Sequence, residues 1–229
     1  MEFQAIWQFS SERTLVLFLD GKISLDKQKL CWSLAEYLKE NPIVVETVVG
    51  MNALTLYLDI STIKSAKCLN TQREILQALT DEFVANFNPV SNTQSSGKHV
   101  KIPVIYGGEF GMDLTDSAKR LGMSVIELVE RHSAPIYTVY FIGFQAGFPY
   151  LGGLPDELHL PRHTKPRTNV PAGSVGIGGA QTGIYPFSSP GGWQLLGRTQ
   201  LPLFDKANTP PTLLQAGDTL QFVVQDILE

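Results

Sequence analysis

The sequence predicts a small α+β domain of order ββαββα followed by a mainly-β domain, a barrel or a sandwich. Three observations carry that reading. Two strand–strand–helix patterns fill residues 1–88. A polar segment without periodicity, 89–99, reads as a linker. Residues 100–229 hold only two short helical patterns among short β-rich runs, and ten of the 14 prolines lie between Pro149 and Pro211. Short strands punctuated by Gly and Pro turns build closed or layered β structure.

Residues 3–9 and 14–19 read as strands joined by a turn at 10–13. Ser24 is placed to cap a helix whose Leu30, Leu34, Tyr37 and Leu38 share one face, and Asn41-Pro42 stops it. Residues 44–49 and 53–58 form a second strand pair across Gly50-Met51-Asn52. Thr71 with Glu74 makes a capping box for a second helix, whose buried stripe is Ile75, Leu76, Leu79 and Phe83. In the second domain, 100–106 alternates as a strand. A helix from about Leu114 ends at Gly122, and another starts at Ser124 with Glu127 closing a capping box. Residues 136–144 form an aromatic, β-branched strand, and further strands lie near 174–177, 193–198 and 219–224.

The second domain is organised around the stretch 144–198. Residues 168–197 carry no charged side chain, yet the run is too rich in Gly and Pro for a helix and too polar for a membrane span. Rigid neutral loops of this kind expect a ligand or a partner chain to cover them. The net charge of −4 argues against generic nucleic-acid binding. With no signal peptide, Cys31 and Cys68 read as reduced thiols of a cytoplasmic protein, a surface disulfide being the alternative.

No phosphate-binding glycine motif is present, and GSVGIGG (173–179) reads as a strand with close backbone approach. His159 and His163 have the spacing of metal ligands on a helix, but Pro155, Pro161 and Pro166 exclude that helix, so no metal is expected. Ser174 with His132 lacks a nucleophile elbow, and Ser174 reads as a hydrogen-bonding serine. His132 ends a helix, where it either faces the dipole as a cation or serves a site. Arg162, Lys165 and Arg167 either clamp a carboxylate or phosphate or form a solvated edge. Gln181, Thr182 and Tyr185 can bond an amide or a carboxylate without burying charge. Trp193 is either core or a platform for a ligand.

The segments YGGEFGMDL (106–114), HSAPIY (132–137), GFQAGFPYLGGLP (143–155), PRTNVPAGSVGIGGAQTGIYP (166–186) and SPGGWQLLGRT (189–199) resemble the B-type subunit of the prokaryotic ATP-dependent 5-oxoprolinase. That family also holds KipI-type inhibitors of a histidine kinase and the allophanate hydrolase subunit 1 domains. Proline is usual in the family where Met112 and Ala146 stand, and arginine where Asn169 stands. The resemblance implies a cyclophilin-like β-barrel, a cytoplasmic enzyme subunit inactive alone, partner subunits of the C and A types, and ATP as a co-substrate held elsewhere. A kinase-inhibitor role is the alternative, and a urea or allophanate role a third; the first two make Phe144, Phe148, Tyr150 and Leu151 partner-interface candidates. Residue chemistry then assigns Arg162 and Arg167 to a carboxylate or phosphoryl group and His132 to proton transfer. Ser174, Gln181, Thr182 and Tyr185 are assigned to the substrate.

Overall fold

The structure is a computed structural model that describes residues 5–61, 66–89 and 97–228. The chain divides near residue 96 into two compact units. Residues 3–4 of the first predicted strand, and 90–96 of the predicted linker, lie outside the described residues.

The first unit runs β1 (Ala5–Ser11), β2 (Thr14–Leu19), α1 (Leu25–Lys39), β3 (Val44–Gly50), β4 (Ala53–Leu58) and α2 (Ala66–Asn86). Its sheet has the order β1-β2-β4-β3 and is antiparallel throughout. Alternation puts Leu15 and Leu17 of β2 and Leu54 and Leu56 of β4 on one face, where they meet Leu30 and Leu34 of α1. Ser24 caps α1 as expected, its Oγ accepting from the Lys27 N–H at 3.3 Å. The second helix differs from expectation. It starts at Ala66, so Thr71 lies inside it and is not the cap. Residues 66–71 contain no Gly or Pro to break a helix. Ile75 and Tyr37, expected on buried faces, are 42% and 43% exposed. Tyr37 stacks on Phe83 instead, with ring centroids 4.8 Å apart. Neither Cys31 nor Cys68 forms a disulfide. Burial pushes the Cys31 thiol up to about 12, which makes it inert.

The second unit runs β5 (His99–Gly107), α3 (Leu114–Leu121), α4 (Val125–Ser133), β6 (Tyr137–Ile142), β7 (Pro149–Gly152), β8 (Arg167–Val170), β9 (Ser174–Gly178), β10 (Gln181–Ile184), β11 (Ser189–Gly191), β12 (Gln194–Arg198) and β13 (Thr219–Leu228). Seven of these strands close a barrel in the order β10-β7-β6-β13-β5-β12-β9, while β8 and β11 form a separate ribbon. The barrel expected for this unit is therefore present. All its pairings are antiparallel except that of β5 with β13. The interior is filled by inward residues such as Ile102, Val104, Val139, Ile177, Leu196 and Phe222.

Gly122 ends α3 in the left-handed region at φ +70°. Ser124 caps α4, with Oγ accepting from the Glu127 N–H at 3.1 Å, but the Glu127 carboxylate turns to Arg131 at 2.7 Å. The glycines of 173–179 do what close approach requires. A Cβ on Gly176 would meet the Gln194 carbonyl at 2.7 Å, and one on Gly178 the Trp193 indole at 2.4 Å. Among the described residues, no helix is long and apolar enough to cross a membrane.

Candidate functional site

The site begins where β6 stops. The Gln145 N–H donates to the Gly143 carbonyl at 2.6 Å, closing a three-residue γ-turn around Phe144 at φ +64°. That hand of γ-turn is strained, and a bulky aromatic residue rarely occupies it. The turn leaves Phe144 62% exposed and delivers Phe148 into the interior at 2% exposure. Around Phe148 the rings of Tyr150, Tyr185 and Trp193 converge, with centroids 5.0, 5.3 and 5.5 Å away. Edge-to-face packing of this kind holds each ring in one orientation. The Phe144 ring stands edge-on to both Phe148 and Tyr185, at 5.4 and 6.3 Å.

These rings line a cleft of about 270 Å³ whose other walls include Arg162, Pro166, Gly191 and Gly192. The ribbon of β8 and β11 pairs Arg167 with Gly191 and so brings Pro166 to the cleft edge. Gly191 is required there, since a Cβ would lie 2.6 Å from the Tyr185 hydroxyl. The Trp193 backbone close to that hydroxyl counters part of the rise that burial imposes on its pKa. Burial raises the Tyr150 and Tyr185 pKa values, and the Arg162 guanidinium opposes the rise in both. Arg162 lies 5.8 Å over the Trp193 ring and is exposed. Among the described residues, no carboxylate comes within ion-pair distance of it.

Behind the cleft wall stands Asp113, which sequence reasoning did not single out. Its buried carboxylate accepts from Arg167 Nη2 at 2.6 Å and from the Leu195 N–H at 2.7 Å, and lies 3.3 Å from His163 Nε2. One carboxylate thus ties the loop of 163–167 to β12, next to Trp193. Arg167, expected to hold a ligand, is paired here.

His132 is placed elsewhere than expected, wholly buried in the barrel and stacked 4.7 Å from Phe222. Thr182 donates its one hydroxyl hydrogen to the Gly176 carbonyl at 3.0 Å. It must therefore accept from His132 Nε2, 2.9 Å away, which leaves Nδ1 bare to accept from the Tyr106 hydroxyl at 2.9 Å. Burial lowers the His132 pKa to about 3, so the ring is neutral. It is a core residue, neither a cation at a helix end nor a proton carrier at the cleft. Ser174, with its Oγ buried and unpartnered, and Thr182 lie in the same interior.

The cleft therefore gathers Phe144, Phe148, Tyr150, Arg162 and Tyr185 from the candidate residues. Gln181 is half-buried on β10 and does not line it. Phe148 and Leu151, expected to face a partner, are 2% and 1% exposed, because the barrel needs them as packing. His159 and His163 take different carboxylates, Asp156 at 3.7 Å and Asp113 at 3.3 Å.

The fold defines a chain of two units, a small α+β domain and a seven-stranded β-barrel that carries an aromatic cleft. Residues 5–214 match the family model of the carboxyltransferase domain, subdomain C and D. A Haemophilus influenzae protein named as the B-type subunit of 5-oxoprolinase is 52% identical over 217 residues, which is 95% of this chain and 96% of that protein. The chain belongs to this carboxyltransferase C and D family, among the proteins named as B-type subunits of 5-oxoprolinase. The solved structure of TTHA0988 is 34% identical with a TM-score of 0.73; the match covers 93% of this chain but only 39% of that longer one. The K. lactis urea amidolyase shares the fold, with a TM-score of 0.79 at 20% identity over 98% of this chain and 15% of its own.

Proposed function

We propose that this chain is the B-type subunit of an ATP-dependent 5-oxoprolinase, which opens the lactam of 5-oxo-L-proline to L-glutamate as ATP is hydrolysed. The observation that carries the reading is the 52% identity, over nearly the full length of both chains, to a protein of that name. The chain works only with the C-type and A-type subunits, and ATP is held elsewhere in the assembly. An unactivated lactam resists hydrolysis, and phosphorylating its oxygen turns that oxygen into a leaving group. Such a step needs donors fixed around developing negative charge. The small aromatic cleft, whose Arg162 has no carboxylate partner among the described residues, supports the reading, because it suits a small anionic ring better than a long chain. The test is ADP release dependent on 5-oxoproline, measured for this chain alone and then with the two companion subunits. Turnover is expected only from the full set. A full set that forms a stable complex yet shows no such turnover overturns the proposal, and inhibition of a sensor histidine kinase by the chain alone would replace it.

A further inference from the structure

We propose that the aromatic cleft is a binding site for a small cyclic carboxylate, with Arg162 and the Tyr185 hydroxyl holding the anion, Phe148 and Trp193 packing the ring, and Phe144 covering it.

Four observations on the molecule lead there. Arg162 has no carboxylate partner among the described residues, whereas nearby Arg167 and His163 share Asp113. A guanidinium left free beside aromatic faces invites an anionic ligand. The Tyr185 hydroxyl lies at the cleft wall beside Gly191, where it can donate to an anion. The cleft is small, about 270 Å³, which favours a ring-sized ligand over a long one. Finally, Phe144 pays in backbone strain for its place at the mouth. A glycine would close the same turn without strain, so the ring, not the turn, is what the position retains.

The identity of the ring as 5-oxo-L-proline rests on the subunit reading; the class of ligand rests on the cleft alone. The experiment is calorimetric titration of the full chain with 5-oxo-L-proline, its neutral carboxamide, and cyclopentanecarboxylate. Saturable binding of 5-oxo-L-proline is expected, with at least tenfold loss for the carboxamide and for Arg162→Ala, and partial recovery in Arg162→Lys. Phe144→Gly should weaken binding about three- to tenfold while its urea midpoint stays level or rises, a combination that a merely structural residue would not give. No saturable binding at millimolar ligand, equal binding of acid and carboxamide, or a Phe144→Gly variant that binds normally overturns the proposal. Binding of cyclopentanecarboxylate but not 5-oxo-L-proline keeps the site and removes the subunit reading's substrate from it. Normal turnover of the assembled Arg162→Ala enzyme does the reverse.

Discussion

Acidification should unfold the barrel through one histidine. His132 is neutral in the folded protein, its pKa lowered to about 3 by burial, against an ordinary value near 6.5. The unfolded chain therefore takes up the proton first as pH falls. Stability is full above about pH 6.5 and is lost progressively down to about pH 3, at ~1.4 kcal/mol per pH unit. At pH 5 the loss attributable to this residue is about 2 kcal/mol, on the order of a 1 M shift in urea midpoint. The assay is urea unfolding followed by Trp193 fluorescence, with Trp7 and Trp32 changed to Phe so that the signal reports the barrel. His132→Leu removes the titration and leaves the Tyr106 hydroxyl without its acceptor, at a cost of about 1–3 kcal/mol at all pH values. Its stability should fall less steeply than wild type between pH 7 and pH 5. The other histidines and the carboxylates are common to both proteins, so the difference isolates His132. Equal slopes would refute the buried neutral ring.

Other substitutions test the cleft and its supports. Asp113→Asn should cost about 1–3 kcal/mol in urea unfolding, because Arg167 loses its counter-charge, and should weaken 5-oxoproline binding by loosening the loop of 163–167. Unchanged stability and binding would remove Asp113 from the framework. Gly178→Ala should push the Trp193 indole, which a Cβ would approach to 2.4 Å, and shift its fluorescence while costing about 1–3 kcal/mol. Phe148→Asp should leave the barrel unfolded by near-UV circular dichroism, since it buries an unpaired carboxylate and removes the ring at the centre of the cluster. A soluble, folded Phe148→Asp protein would show that the ring is not core.

Much of this fold could be read locally. Helix α1 announces itself because its cap Ser24 and its stop at Asn41-Pro42 are adjacent to it in the chain. The strand β9 is readable because its glycines have no other use than close packing. Strands β7, β8, β10 and β11 were not readable: each is three or four residues long, and long-range pairing such as Val170 with Ser189 defines them. The neutral stretch marked the cleft region, and its aromatic residues and Arg162 converge there. Its organiser escaped because Asp113 lies 50, 54 and 82 residues from His163, Arg167 and Leu195. His132 misled for the opposite reason. A histidine at a helix end looks solvated until tertiary structure puts a phenylalanine against it.

The parallel pairing of β13 with β5 also bears on synthesis. Lys98 and Asp218, at its start, are hydrogen-bonded across 120 residues of sequence. While the chain is still being made, the first strand of the barrel waits with an open edge until the final strand has left the ribosome. The barrel therefore closes only after β13 has emerged, and a ribosome stalled before residue 219 would display an unsealed sheet rather than a partial barrel.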